Sequence, residues 1–353
     1  MKTELVETDI NNSTYRAAIE KAGSIIKSGG LVAFPTETVY GLGGDALNCD
    51  ASGKIYAAKG RPSDNPLIVH IADIKDLYEI ALSIPDSALK LADKYWPGPL
   101  TMIFPKRDCV PYATTGGLDT VAVRMPSHSI ALDFIKASGG FIAAPSANAS
   151  GRPSPTKASH VYEDLNGRIE MILDGGDCDI GLESTIVDFT SDKPMILRPG
   201  FISEQMLREV LGDVDKDPAV FGLTLNAEIK PKAPGMKYRH YAPKGDLAIV
   251  SGKPDRVYSR ICEEIEKNRT NKFKVAVICC TDMSDKYSDA DFVGCIGTRT
   301  NEITIAANLY DILRECDEKG IDKIYSEEFD TPQLGQAIMN RLIKAAGHTF
   351  IKV

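Results

Sequence analysis

The sequence predicts an α/β protein of two domains joined by a proline-bearing linker. Three observations predict it. Short apolar runs alternate with amphipathic windows along most of the chain. The stretch 213–244 has little period of either kind and carries Pro218, Pro231, Pro234 and Pro243. Beyond it, strands and helices alternate in the order of a small doubly wound unit. With 353 residues, the chain is long enough for two domains of ordinary size with a core in each. The predicted layout is a first domain over 1–212, a linker over 213–244 and a second domain over 245–353.

A first helix is predicted over 13–27, with Ser13 as its cap, Ala18, Ala22, Ile25 and Ile26 on its apolar face, and Gly29-Gly30 as its stop. A strand over 31–34 follows at once. Asp50 is positioned to cap a short helix through Ala58 that ends at Gly60, and a strand over 67–71 comes next. Further strands are predicted at 100–104, 121–124, 141–144, 169–173, 184–189 and 195–198, with helices between several of them. Their ends meet loops rich in Gly, Pro and Ser, where functional groups collect. After the linker the pattern gives strand 247–250, helix 254–267, strand 273–280, helix 303–319, strand 323–325 and helix 334–346.

The formal net charge of −8 argues against a protein that coats nucleic acid, because phosphate neutralisation needs a basic face. Any anion site is therefore local. Runs such as 275–280 are strand length, so no membrane span is expected. The opening MKTELVETDINNS lacks the apolar segment of a signal peptide, which predicts a cytoplasmic protein. The 8 cysteines are scattered without a C-x-x-C pair or a His at metal spacing, so they read as small buried hydrophobes.

No G-x-x-x-x-G-K-[ST] phosphate loop occurs. Gly41, Gly43 and Ala46 fit G-x-G-x-x-A, and the expected reading is a glycine turn joining a strand to a helix. Polyphosphate would then have to be held by side chains. Lys59, Arg61, Arg124, Arg152 and Arg198 are cations at loop or strand-end positions, and Arg61-Pro62, Arg152-Pro153 and Arg198-Pro199 hold the chain extended behind the guanidinium. Beside them stand hydroxyl and amide clusters: Thr36-Glu37-Thr38, Ser146-Ala147-Asn148 with Ser154, and Glu183-Ser184-Thr185. Each cluster alone also reads as a cap or turn, and His70 alone as a structural histidine.

Together, PTETVYGLG (35–43), KGRPSDNPL (59–67), VAVRMPSH (121–128), AAPSANASGRPSPT (143–156), GLESTIVD (181–188) and ILRPGFIS (196–203) resemble the threonylcarbamoyl-AMP synthase family. The pairing of Lys59 and Arg61 with Ser146 and Asn148 is that family's signature. The linker segment APGMKYRHYAP (233–243) and the second domain resemble the longer, two-domain form. The resemblance implies a twisted, mostly β catalytic domain with a concave, positively lined cavity, and a small Rossmann-like second domain. It implies that L-threonine, bicarbonate and ATP give threonylcarbamoyl-AMP and pyrophosphate, and that the product feeds threonylcarbamoyl-adenosine formation on tRNAs reading codons that begin with A. Carried over by position, threonine falls to Thr38, His70, Arg124, the backbone at Ala144 and Ser184. ATP falls to Arg61, Asn65, Thr120, Ser146, Asn148, Ser154, Arg198 and Tyr241, with Lys59 and Arg61 near the phosphates as the catalytic cations. Magnesium is expected to arrive on the nucleotide, because no set of carboxylates suggests a protein-built cage. The linker is expected to act as a lid, hinged at Gly235 and carrying the rings of Tyr238, His240 and Tyr241. tRNA and tRNA-modification proteins are candidate partners.

Two rival readings keep the same cavity. One is a nucleotide or RNA sensor without turnover, which the acidic balance disfavours. The other is a carbamoyl-transfer maturation factor, whose relatives carry zinc-finger regions that this sequence lacks. For the second domain, a clamp or a docking unit for the linker is the simpler expectation, because no glycine fingerprint follows its strands.

Overall fold

Gly41 and Gly43 lie inside a strand, not in the expected turn, and the reason is space. A Cβ on Gly41 would come within 2.9 Å of the Phe34 ring, and one on Gly43 within 2.9 Å of Ile142. The computed structural model describes residues 2–218 and 241–353. These form two units, one of residues 2–150, 154–179 and 183–218, the other of residues 151–153, 180–182 and 241–353.

In the larger unit the elements run β1 (Glu4–Glu7), α1 (Tyr15–Lys27), β2 (Val32–Phe34), β3 (Gly41–Asp45), α2 (Cys49–Lys59), β4 (Ile68–His70), α3 (Ile74–Ile80), α4 (Asp86–Tyr95), β5 (Leu100–Pro105) and β6 (Thr120–Arg124). They continue with α5 (Ser129–Ser138), β7 (Ile142–Ala144), α6 (Ala158–Leu165), β8 (Met171–Asp174), β9 (Thr185–Asp188), β10 (Met195–Arg198), α7 (Glu204–Leu211) and β11 (Asp215–Lys216). The strands form one mixed sheet in the order β1-β8-β2-β3-β7-β4-β6-β5-β9-β10-β11.

Two helix starts differ from expectation. Thr14 precedes α1 and makes no side-chain cap, so Ser13 does not cap it. In α2 the cap is Asn48, whose side chain accepts from the Asp50 amide. Asp50 sits in the first turn, where its charge suits the positive end of the helix dipole. Gly60 closes α2 in the left-handed region at φ 64°, as its position after the helix predicts.

Strand alternation divides the central sheet into two faces. Leu67, Val69, Met102, Val121, Val123 and Val187 pack into the main core on one face. The opposite face carries a smaller apolar cluster of Ile68, Ile103, Ala122, Ile186 and Leu197. A β-bulge between Ile196 and Arg198 shifts the register of β10 against β9, so that Arg198 stands opposite Ile186.

The second unit contains β12 (Asp246–Ser251), α8 (Pro254–Thr270), β13 (Val275–Cys279), β14 (Phe292–Cys295), α9 (Glu302–Glu318), β15 (Lys323–Glu327), α10 (Gly335–Ala345) and β16 (Phe350–Lys352). Its sheet is parallel throughout, in the order β14-β13-β15-β12-β16, which is the doubly wound pattern. The edge strands β14 and β16 are additions to the expected elements. Among the described residues, no helix is long and apolar enough to cross a membrane.

Candidate active site

Strand register assembles a polar row across the larger sheet. His70 at the end of β4 pairs with Arg124 at the end of β6. Arg124 in turn stands opposite Thr101 of β5. Thr101 Oγ1 lies 2.7 Å from Ser184 Oγ. Arg198 donates from Nη2 to Ser184 Oγ at 3.1 Å and from Nε to the Ser184 carbonyl at 3.0 Å. All five residues are buried, on the face that carries the smaller apolar cluster. Burial, and secondarily the Arg124 charge, push the His70 imidazole down to about 3, so it is neutral at ordinary pH.

Arg124 also organises the turn after β2. Its Nη1 donates to Thr38 Oγ1 at 2.8 Å and its Nε to the Gly98 carbonyl at 3.3 Å. Thr38 Oγ1 lies 2.8 Å from Thr36 Oγ1, and Thr36 Oγ1 donates to the Val39 carbonyl at 2.7 Å, which makes a polarised chain from guanidinium through two hydroxyls. Glu37 Oε1 is 2.7 Å from Arg124 Nη2. The pair is within ion-pair distance, yet neither Glu37 oxygen makes an aligned hydrogen bond among the described residues.

A second corner is built on the end of α2. Lys59 Nζ donates to the Ser146 carbonyl, to the Asn148 carbonyl at 2.6 Å and to Asn148 Oδ1 at 3.2 Å. Ser146 Oγ donates to Asn148 Oδ1 at 2.6 Å. The Ala147 amide donates to the Tyr40 carbonyl at 2.8 Å, which ties this turn to the segment before β3. Arg61 Nη2 points back to the carbonyls of Asn65 at 3.4 Å and Pro66 at 3.2 Å. The buried Asn65 Oδ1 has no hydrogen-bond partner among the described residues.

The remaining expected residues fall in three places. Ala144 ends β7 directly opposite Ile68, and Thr120 opens β6 opposite Pro105. Ser154 Oγ donates to Glu183 Oε1 at 2.6 Å. Tyr241 belongs to the second unit, with φ 66° and its ring 5.2 Å from that of Tyr310. Arg152, one of the five cations singled out from the sequence, also groups with the second unit, 3.6 Å from Asp317. Gly235, Tyr238 and His240 lie outside the described residues.

Sequence reasoning missed Thr101, and it left Glu37 and Glu183 without roles. A lone hydroxyl in the apolar strand LTMIFP is a visible signal for Thr101. Its meaning depends on a register that the sequence does not print.

Buried Arg, His and hydroxyl groups in one row, with a Lys-organised turn and no glycine phosphate loop, define an α/β protein with a buried polar site built from side chains. Comparison with known proteins makes this specific. The family described as Telomere recombination matches residues 24–200, and the threonylcarbamoyl-AMP synthase C-terminal domain matches residues 202–347. The threonylcarbamoyl-AMP synthase of Pyrococcus abyssi is 50% identical over 335 residues, covering 95% of this chain and 96% of that protein. That of Bacillus subtilis is 48% identical over 355 residues and covers 100% of both. The crystal structure of P. abyssi Sua5 complexed with L-threonine superposes with a TM-score of 0.93 at 47% identity, covering 99% of this chain and 100% of that one. The chain belongs to the threonylcarbamoyl-AMP synthase family.

Proposed function

We propose that this chain condenses L-threonine, bicarbonate and ATP to threonylcarbamoyl-AMP and pyrophosphate, and that the adenylate serves threonylcarbamoyl-adenosine formation on tRNAs reading codons that begin with A. The observation that carries this reading is the buried row of His70, Arg124, Thr101, Ser184 and Arg198. A triphosphate, a bicarbonate and an amino-acid carboxylate repel one another where water is scarce, and fixed cations offset that repulsion.

In this mechanism Arg124 pairs with the threonine carboxylate, while Thr38, Ser184, neutral His70 and the backbone at Ala144 complete its contacts. Arg61, Asn65, Thr120, Ser146, Asn148, Ser154, Arg198 and Tyr241 serve the nucleotide. The unpartnered Asn65 Oδ1 is an acceptor for a nucleotide donor. Lys59 holds the turn that carries Ser146 and Asn148. Magnesium is assigned to the substrate, as MgATP, where it bridges phosphate oxygens.

The threonine amine attacks the bicarbonate carbon, water leaves, and a carbamate oxygen then attacks the α-phosphate and displaces pyrophosphate. Positioning and charge stabilisation supply the rate, without a nucleophilic side chain. The reading implies a cytoplasmic protein that works with tRNA-modification partners. Incubation with MgATP, bicarbonate and each amino acid in turn tests it: pyrophosphate release is expected on threonine, and no release with any amino acid rejects it.

A further inference from the structure

Glu37 is the one acidic residue of the PTETVYGLG turn, and the mechanism above leaves it unused. It is 6% exposed, and its carboxylate lies against Arg124, the residue assigned to the threonine carboxylate. Neither of its oxygens has a hydrogen-bond partner among the described residues. A buried carboxylate without aligned donors is expensive, and such groups are normally satisfied by a partner or a ligand. Arg124 from β6 lies against Glu37, whose charge acts on His128, in the segment before α5, and on Cys178. Burial pushes the His128 imidazole down, and the Glu37 charge acts against that. Burial pushes the Cys178 thiol up, so it is a neutral neighbour.

A ligand carboxylate arriving at Arg124 also arrives beside Glu37, and two carboxylates sharing one guanidinium repel each other. A zwitterion removes the conflict. Its carboxylate takes the guanidinium, its ammonium takes Glu37, and the two opposed charge pairs neutralise each other.

Resting on the function proposed above, we infer that Glu37 is a catalytic residue for the carbamoylation step: it binds the threonine ammonium and accepts its proton. One proton passes from the ammonium to the Glu37 carboxylate, and the freed lone pair forms the bond to the bicarbonate carbon. The second nitrogen proton leaves with the departing hydroxide as water, giving the carbamate. Glu37 then releases its proton to solvent.

Calorimetric binding of threonine and of 3-hydroxybutanoate, which is threonine without its amine, tests this. Wild-type protein should prefer threonine by roughly ten- to a hundredfold, the size of a hydrogen-bonded charge contact. Glu37→Gln should bring the two affinities close together, while Glu37→Asp, which keeps the charge, should retain most of the preference even if Glu37→Gln folds poorly. In turnover, kcat/KM for threonine should rise more steeply with pH in Glu37→Gln than in wild type, because the variant depends on amine that is already neutral. A merely structural role would leave that slope unchanged. A wild-type preference retained in Glu37→Gln, or equal binding of both ligands by wild type, overturns the inference. Failure of wild-type protein to release pyrophosphate on threonine overturns the function proposed above, and the binding ratio reads Glu37 separately.

Discussion

The Lys59 ammonium lies 2.6 Å from the Asn148 carbonyl and 3.2 Å from Asn148 Oδ1, so the last side chain of α2 fastens the turn that follows β7. Lys59 is buried, and its charge is dispersed over carbonyl and amide oxygens. Replacing it with an apolar chain removes its hydrogen bonds to the Ser146 and Asn148 carbonyls. Lys59→Met should therefore destabilise the larger unit by about 2–3 kcal/mol. Urea denaturation followed by the fluorescence of Trp96 checks this, because Trp96 is the sole tryptophan and lies in that unit. An unchanged midpoint would show that the turn stands without Lys59.

Arg61 differs from Lys59 in geometry. Its guanidinium donates to carbonyls of its own loop, to Asn65 at 3.4 Å and to Pro66 at 3.2 Å. Arg61→Ala should lower kcat for threonine-dependent pyrophosphate release by about 10²–10³-fold, the cost of one lost electrostatic contact in a transition state. Circular dichroism should show the fold intact. Wild-type turnover would remove Arg61 from the site.

The neutral His70 has a pH signature. Its folded value, about 3, lies below its ordinary value of 6.5, so below pH 6.5 the unfolded chain binds a proton that the folded chain refuses. Stability is unaffected by this group above pH 6.5 and is lost as pH falls from there toward 3, by about 1.4 kcal/mol per pH unit once the unfolded imidazole is protonated. His70→Gln removes the titration. Its denaturation midpoint should fall less than the wild-type midpoint between pH 7 and pH 5, and parallel decline of the two proteins would contradict the assignment.

Much of this architecture is readable before any coordinates. The strand at 195–198 and the helix beginning at Pro254 appear where period and proline place them. The strand at Gly41–Asp45 was hidden because GLGGD has the composition of a turn, and only the crowding by Phe34 and Ile142 explains it. Thr14 and Asn48 displaced the expected caps by one and two positions because competing polar residues stand side by side in both segments. At the site, the residue types other than Thr101 were legible and the neighbours were not. Arg124, Thr101 and Ser184 are distant in sequence, and only the pairing of β6, β5 and β9 makes them adjacent. Glu37 was visible as an acid in a hydroxyl turn, but its contact with Arg124 depends on the fold.

The bulge in β10 has a further meaning for how this molecule tolerates change. In an unbroken ladder Leu197 would face Ile186 and the next side chain would aim into the opposite layer. One surplus backbone unit thus decides which side of the sheet receives the Arg198 guanidinium. Substitutions along 195–197 need preserve only bulk and apolarity, whereas losing a single amino acid there would rotate the guanidinium that bonds Ser184 into hydrocarbon. In this strand the count of residues is under tighter constraint than their kind.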